Sequence, residues 1–365
     1  MILSFGAKNF GCFKEQVDIS FENKEGVSKL LCIEGANASG KTTILKILEF
    51  IRHFAIKSFN DKPDDEVDIP THFNSSKTSD LYINFEHASI YYKYELTIKS
   101  GKIFKESLSQ KKSGGRAYVI FSRSQNEIKK TLKKYDILKT MKLRSNASAI
   151  STAKQYDFSL DVIDAMDIFF DVRLISNLTK EGYAEHYFEL SSYGPISSFL
   201  AGNGKKYLDR IKPILKNFDL GITDVVIESA MIKGKKCHYP VFQHGDNSLL
   251  YEEESTGTQT LFMTLVPYLM AMNMQGILIH DEFDTHLHHL LLPKLIDLIE
   301  DSDAQFIFTT FNIDIMDRLG KYKVYMVEKD NNESYAYRLD EIKDLRNDRP
   351  ISNYYKKGLL GGVPR

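Results

Sequence analysis

Apolar and polar residues change their spacing several times along this chain, and each change marks an element. The first 33 residues alternate, so that "ILSFGAKNF", "VDISFE" and "KLLCIEG" read as paired strands. Leu30, Leu31, Cys32 and Ile33 make the short apolar run of a buried strand. From Thr43 to Phe54 the spacing turns helical, with Ile44, Leu45, Ile47, Leu48 and Ile51 on one face. Alternation returns over residues 80–110, "DLYINFEHASIYYKYELTIKSGKIFKESLSQ", which predicts three or four antiparallel strands with tight turns at His87–Ser89 and Ser100–Gly101. Helical stretches are expected across residues 125–217, with "VIDAMDIFFDVRLI" (162–175) the most periodic of them. Beyond these, "DVVIES", "CHYPVFQH", "GILIHDE" (276–282), "DAQFIFTTF" (303–311) and "KVYMVEK" (323–329) read as strands with helices between them, the texture of a buried parallel sheet. There is no internal repeat and no heptad run long enough for an extended coiled coil.

Between the first buried strand and the first helix stands "GANASGKT", residues 35–42. Glycines fit where a loop must turn to positive φ and bring its N–H groups close to an anion. In this arrangement Lys41 would reach the β- and γ-phosphates and the Thr42 hydroxyl would hold Mg²⁺. The helix N-terminus that follows adds a favourable dipole of about 0.3–1 kcal/mol. The expected ATP contacts are Gly35, Asn37, Ala38, Ser39, Gly40, Lys41, Thr42 and Thr43.

Two later stretches bear on the same chemistry. "GILIHDEFD" ends an apolar strand in Asp281 and Glu282, at the strand edge where α/β sheets bind ligands. Asp281 would hold Mg²⁺ through water beside Thr42, and Glu282 would polarise the water that attacks the γ-phosphate. Twenty-six residues earlier, Ser255, Gly257, Thr258 and Gln259 open the apolar stretch "EESTGTQTLFMTLVPYL" (253–269). A hydroxyl, glycine N–H groups and a helix N-terminus make a second anion site, unless Ser255 is simply the cap of an ordinary helix. One ATP does not need two such sites in one chain. The economical arrangement is a symmetric dimer in which each chain completes the other's ATP.

Composition changes this picture little. With 48 Lys and Arg against 49 Asp and Glu the net charge is −1, so no global field draws the chain to nucleic acid or membrane. A local basic patch at "QKKSGGRAY" (110–118), with Lys111, Lys112, Arg116 and then Arg123, reads as a solvated hairpin tip, with DNA contact the alternative. Cys12, Cys32 and Cys237 lack metal-ligand spacing and read as buried thiols of a reducing, cytoplasmic compartment. No membrane span or signal peptide is expected. The expected organisation is an N-terminal ATPase lobe (1–124), a helical insertion or lid (125–217) and a C-terminal ATPase lobe (218–365).

Taken together, "GANASGKT", "STGTQ", "ILIHDE" and "FDTHLH" resemble the Walker A, signature, Walker B and D-loop of ABC-type ATPase heads of the SMC/RecF/OLD kind. The opening "MILSFGAKNFGCFKEQVDISFE" resembles that family's first strands, and the order of motifs covers nearly the whole chain. More narrowly, "ESTGTQTLF", "DEFDTHLHHLL", "IFTTFNIDIMD" and "YYKKGLLGGVPR" resemble the stand-alone ATPases of prokaryotic abortive-infection and anti-phage modules, of which AbiLi, RloA and the PARIS ATPase AriA are examples. The resemblance implies a P-loop NTPase of ABC-head type, with an antiparallel β subdomain, a mostly parallel sheet core and a short helical insertion. It also implies ATP and Mg²⁺ as cofactors, a homodimer closed on ATP, and a separate effector such as a TOPRIM-type nuclease or another toxin. The family would place adenine near Asn9–Lys14. His72 and Gln110 both stand as candidates for the Mg²⁺-sensing residue. One departure matters: where the family has a switch histidine in a "TTHN" context, this chain has Phe311 in "TTFN". Phe cannot hydrogen-bond a phosphate, so slow hydrolysis, or nucleotide binding without turnover, is expected unless Asn312 or a partner residue substitutes. A RecF/SMC-like DNA-repair clamp is the alternative function. A transporter's nucleotide-binding subunit is disfavoured by the 214 residues between Lys41 and Ser255.

Overall fold

The computed structural model describes all residues except 157, 179–194, 219, 220, 344, 346–349 and 361–365. The last five residues of "YYKKGLLGGVPR" therefore lie outside the described residues. The chain divides into two compact units, residues 1–174 with 305–365, and residues 175–304. Among the described residues no helix is long and apolar enough to cross a membrane.

The first unit carries a seven-stranded antiparallel sheet. Its strands are β1 (Ile2–Lys8), β2 (Val17–Ser20), β6 (Ser79–His87), β7 (Ile90–Lys99), β8 (Lys102–Lys112), β9 (Tyr118–Ser124) and β10 (Glu127–Thr131). They lie in the order β10-β9-β8-β7-β6-β1-β2, and a two-residue ladder, β3 (Glu22–Asn23) with β4 (Gly26–Val27), stands beside them in sequence. The stretch 80–110 thus resolves into three strands, with its turns at Ala88–Ser89 and Ser100–Gly101, all four residues at positive φ. Alternate residues point inward, as in Leu81, Ile83 and Phe85, because the pleat sends every second side chain to one face.

The same unit holds a parallel core. Strand β5 (Leu30–Gly35) is buried along its whole length and pairs in parallel with β16 (Gln305–Thr309) on one side and β17 (Val324–Asp330) on the other. Cys32 faces Phe308 and Val324 in the two registers, and β18 (Glu333–Arg338) closes this side antiparallel to β17. Helix α1 (Lys41–Lys57) leaves the loop after β5 and buries Ile44, Leu45, Ile47, Leu48 and Ile51. Each fully buried Ile or Leu contributes roughly 1.5–3 kcal/mol, which fixes the helix and so the loop at its N-terminus. The short helices α2 (Ala149–Gln155), α3 (Asp161–Asp167), α8 (Asp314–Leu319) and α9 (Ile351–Lys356) complete the unit.

In the second unit, β11 (Leu174–Ser176) and β15 (Ile277–His280) are hydrogen-bonded neighbours. Strands β12 (Asp224–Ile232), β13 (Lys235–His244) and β14 (Asn247–Leu250) form a separate antiparallel sheet, and α4 (Pro195–Ala201), α5 (Lys205–Asn217), α6 (Thr256–Asn273) and α7 (Leu291–Glu300) are the unit's helices.

Four expectations are corrected. Residues 127–131, placed in a helical stretch, form β10, whose "EIKKT" is a charged edge strand lacking an apolar face. The periodic stretch 162–175 is helical only to Val172, through a π turn at Ile168–Val172, and then enters β11. "DVVIES" and "CHYPVFQH" pair antiparallel with each other, not within a buried parallel sheet, and Glu228, Ser229, Met231 and Ile232 are exposed. Of the three cysteines only Cys32 is buried; Cys12 and Cys237 are partly exposed.

Candidate functional site

The phosphate loop forms as its residues require. Gly35 has φ +155°, and a Cβ there would lie 2.3 Å from the carbonyl oxygen of Val327. Gly40, the residue before α1, has φ +119°, and a Cβ there would meet the Cys12 sulfur at 2.5 Å. Both positions exclude a side chain, by backbone region and by the close approach of β17 and of the turn at residues 9–13. Ala38 also takes a left-handed conformation, φ +59°. The loop is therefore a tight cradle rather than a chance Gly/Ser segment.

Lys41 is folded into this cradle. It is only 7% exposed. Its Nζ donates to the carbonyls of Gly35 at 2.7 Å and Ala36 at 3.1 Å. Above it lies Phe311, on the loop after β16, with its ring centroid 4.2 Å from Nζ. The ring is 47% exposed. The residue at the expected switch position thus faces the lysine that would bind phosphate, as a cation–π partner.

The turn at Asn9–Phe13 leans on the same loop. Gly11 approaches Thr43, and Cys12 reaches the Ser39 carbonyl with its thiol at 4.0 Å. Beside this turn opens a cleft of about 670 Å³, lined by Asn9, Lys14, His72, Phe73, Lys77 and Asn331 among others. Asn9 organises one wall, accepting the His72 N–H at 3.2 Å and donating to the Lys77 and Thr78 carbonyls. The buried Nε2 of His72 has no hydrogen-bond partner among the described residues, and Phe73 packs edge-on against its ring while staying 75% exposed. Gln110, the other candidate sensor, lies on β8 and bonds to the Tyr118 hydroxyl. Arg123 is no part of a basic patch: it is buried beside Glu106 at 3.1 Å and bonds to the Ala147 carbonyl at 2.6 Å. Its sequence neighbours in the patch gave no sign of this.

In the second unit, Asp281 and Glu282 come directly after β15. Glu282 has φ +54°, a left-handed backbone uncommon for a long side chain. His280, one residue before Asp281, is buried, and its Nδ1 meets the Tyr268 hydroxyl at 2.6 Å. Burial pushes its pKa down to about 3, so the ring is neutral. Ser255 caps α6, accepting the Thr258 N–H at 3.1 Å. Thr258 turns its hydroxyl to Ser255, and Gln259 donates to the carbonyls of Tyr251 and Glu254. Ser255 is thus the helix cap, and a Cβ added at Gly257 would lie 3.2 Å from the His286 carbonyl. His286 and His288 sit in the turn after Glu282, with His286 at φ +63°. Among the described residues no group of three or more His, Cys, Asp or Glu could hold a metal ion. The donors expected for Mg²⁺, the Thr42 hydroxyl and the Asp281 carboxylate, are both oxygen, which suits a hard cation that keeps water and phosphate oxygens in its shell.

A family model described as "AAA domain, putative AbiEii toxin, Type IV TA system" matches residues 30–317. A search of curated proteins finds no match. Among solved structures, the SMC head bound to the C-winged helix domain of ScpA is similar with a TM-score of 0.54 and 16% identity, over 92% of this chain and 97% of that one. The SMC head domain from Thermotoga maritima (TM-score 0.45, 13% identity, 92% and 98% covered) is another match. So is the Pyrococcus furiosus SMC head with an extended coiled coil, bound to the C-terminal domain of ScpA (0.46, 14%, 92% and 96%). The first of these shows the fold: a P-loop ATPase fold of SMC-head type, mixed α/β with antiparallel and parallel sheets.

Proposed function

The chain belongs to that AbiEii-type AAA-domain family, and from this premise we propose that it is an ATP-driven switch: an ATPase that dimerises on two Mg·ATP and gates a separate effector in anti-phage defence. The observation that carries the ATP reading is the cradle itself, Gly35 and Gly40 closed around Lys41 at the start of α1. In this reading Gly35–Thr43 and Lys41 hold the phosphates, with the nucleoside directed into the cleft beside Asn9–Lys14. Thr42 and Asp281 hold Mg²⁺, and Glu282 is the general base. Ser255–Gln259 at the α6 N-terminus complete the ATP of a second copy. Phe311 offers no hydrogen bond to the γ-phosphate, so turnover is slow. The described residues of the stretch 125–217 form a lid or a docking surface for the effector, a nuclease or another toxin, while 157 and 179–194 lie outside the described residues. The family's description, which names an AbiEii toxin and a Type IV TA system, supports the association with a toxin module.

Complementation between two inactive variants tests the dimer. Lys41→Ala removes phosphate binding. Ser255→Asp keeps a good helix cap but sets a negative charge where phosphate would arrive. Each alone should be inactive. Mixed in equal amounts, half the dimers would be mixed and one of their two sites intact, restoring about a quarter of wild-type hydrolysis. No restoration, with both variants folded, removes the shared-site reading. For the effector, Glu282→Gln protein held closed by Mg·ATP should capture a stoichiometric nuclease or toxin from the native host. Recovery of DNA alone, lost on nuclease treatment, would replace gating by DNA clamping.

A further inference from the structure

Asn177 comes directly after β11, 104 residues before Asp281, yet its side-chain amide takes both backbone groups of that residue. Its Oδ1 accepts the Asp281 N–H at 2.6 Å, and its Nδ2 donates to the Asp281 carbonyl at 2.8 Å. Its own N–H donates to the Ile279 carbonyl at 3.2 Å. A carboxamide carries a donor and an acceptor in the same relation as a peptide group. Asn177 therefore continues, with a side chain, the pairing that β11 and β15 make through their backbones, one residue past the point where both strands end.

These two bonds restrain the backbone immediately after β15. The Asp281 N–H belongs to the peptide joining it to His280, and the Asp281 carbonyl belongs to the peptide joining it to Glu282. Both peptide planes flanking Asp281 are held by one side chain. Together they fix φ and ψ of Asp281, and with them the frame from which Glu282, at φ +54°, departs. Released, the plane between Asp281 and Glu282 could rotate, and the Glu282 Cβ that hangs from it would re-aim. On the other flank, His280 is fixed by its bond to Tyr268.

We infer that Asn177 is a positioning residue for Asp281 and Glu282: its amide clamps both peptide planes flanking Asp281 and so fixes the stretch of backbone from which the two carboxylates project. The inference deepens the reading of Asp281 as metal holder and Glu282 as general base, and it rests on that reading for its catalytic part. Asn177 itself touches no reacting atom.

Two variants of the full-length chain test it. Asn177→Ala deletes both bonds. Asn177→Asp keeps the acceptor for the Asp281 N–H but turns an oxygen toward the Asp281 carbonyl. Amide exchange of a peptide spanning residues 279–283, read by mass spectrometry, reports the clamp directly and needs no activity. Exchange should accelerate about tenfold or more in Asn177→Ala, with the rest of the chain unchanged. Steady-state ATP hydrolysis should lose about 10- to 100-fold in kcat for both variants, the scale of a misplacement near 1 Å, with KM held within about twofold because the phosphate loop is untouched. Adding Asn177→Ala to Glu282→Gln should cost nothing further, since the two act through one group. Unaltered exchange overturns the clamp. Faster exchange with wild-type kcat overturns the positioning role, and where KM rises by as much as kcat/KM falls Asn177 acts on substrate binding instead. A wild-type chain that hydrolyses no ATP refutes the reading of the carboxylates, and the exchange measurement then still decides the clamp.

Discussion

Phe311→Ala should tighten nucleotide binding. In the structure Lys41 Nζ lies against two loop carbonyls and the Phe311 ring, the ring centroid at 4.2 Å. A phosphate drawn to Nζ takes the side of the ammonium that the ring covers, so the ring competes with the ligand. A cation over a phenyl face is worth about 0.5–1 kcal/mol when exposed and about 2 when desolvated. Here the ammonium is buried while the ring is half in solvent, so an intermediate value of about 1–1.5 kcal/mol applies. At 1.4 kcal/mol per decade this is roughly a 5- to 13-fold fall in Kd for ADP and for ATP. Titration calorimetry at fixed salt measures it. Phe311→Leu separates the causes, because it keeps an apolar side chain of substantial bulk but has no ring quadrupole. Tighter binding in both variants identifies the cation–π contact; tighter binding in Phe311→Ala alone identifies bulk. If Phe311→Ala binds nucleotide as the wild type does, or more weakly, the ring is no competitor and the argument fails. Phe311→His, which supplies an N–H to the γ-phosphate, should raise kcat.

Other consequences concern stability. Arg123→Ala would leave the Glu106 carboxylate buried, with Tyr94 and the Ala149 N–H but no cation. Breaking such a pair costs about 3–5 kcal/mol, which urea unfolding would resolve; a loss under about 1 kcal/mol would refute the pair's role. His280 binds a proton in the unfolded chain near pH 6.5 but in the folded chain only near pH 3. The unfolded state therefore holds more protons in that window, and stability falls as pH falls through it, by at most about 1.4 kcal/mol per unit. Between pH 6.5 and 5 the wild type should lose about 1.6 kcal/mol more than His280→Gln. Identical acid limbs for the two proteins would remove the argument.

What could be read from the chain divides by the distance over which each interaction acts. The strand, loop and helix at residues 30–57 are local, and the spacing of Ile44 to Ile51 with the two glycines sufficed. The hairpins of residues 79–112 were legible because alternation and the turn residues agree. Strand β10 was not, because "EIKKT" pairs at an edge and needs no apolar face. The antiparallel pairing of β12 with β13 was hidden for a related reason: an apolar run shows that a strand is buried in part, never which neighbour it takes. Side-chain partners across long separations left no mark at all. Arg123 is drawn into the interior by Glu106 and three carbonyls, and a basic residue in a basic stretch gives no hint of them.

The same reason bears on the site. Residue types alone marked Lys41, Asp281 and Glu282 as candidates, since phosphate and Mg²⁺ chemistry asks for such groups after a strand or at a helix start, while Phe311 was marked only by the family resemblance. What holds each in place comes from elsewhere in the chain. Phe311 lies 270 residues after Lys41, and Asn177 lies 104 before Asp281. Neither contact can be read from a periodicity or a spacing, because each forms only when separate strands pair, β5 with β16 in one case and β11 with β15 in the other, and so bring their ends together. Chemistry that selects a residue type is legible in a sequence. The geometry that restrains it, through a phenyl ring on an ammonium or an amide on a peptide, is a property of the fold.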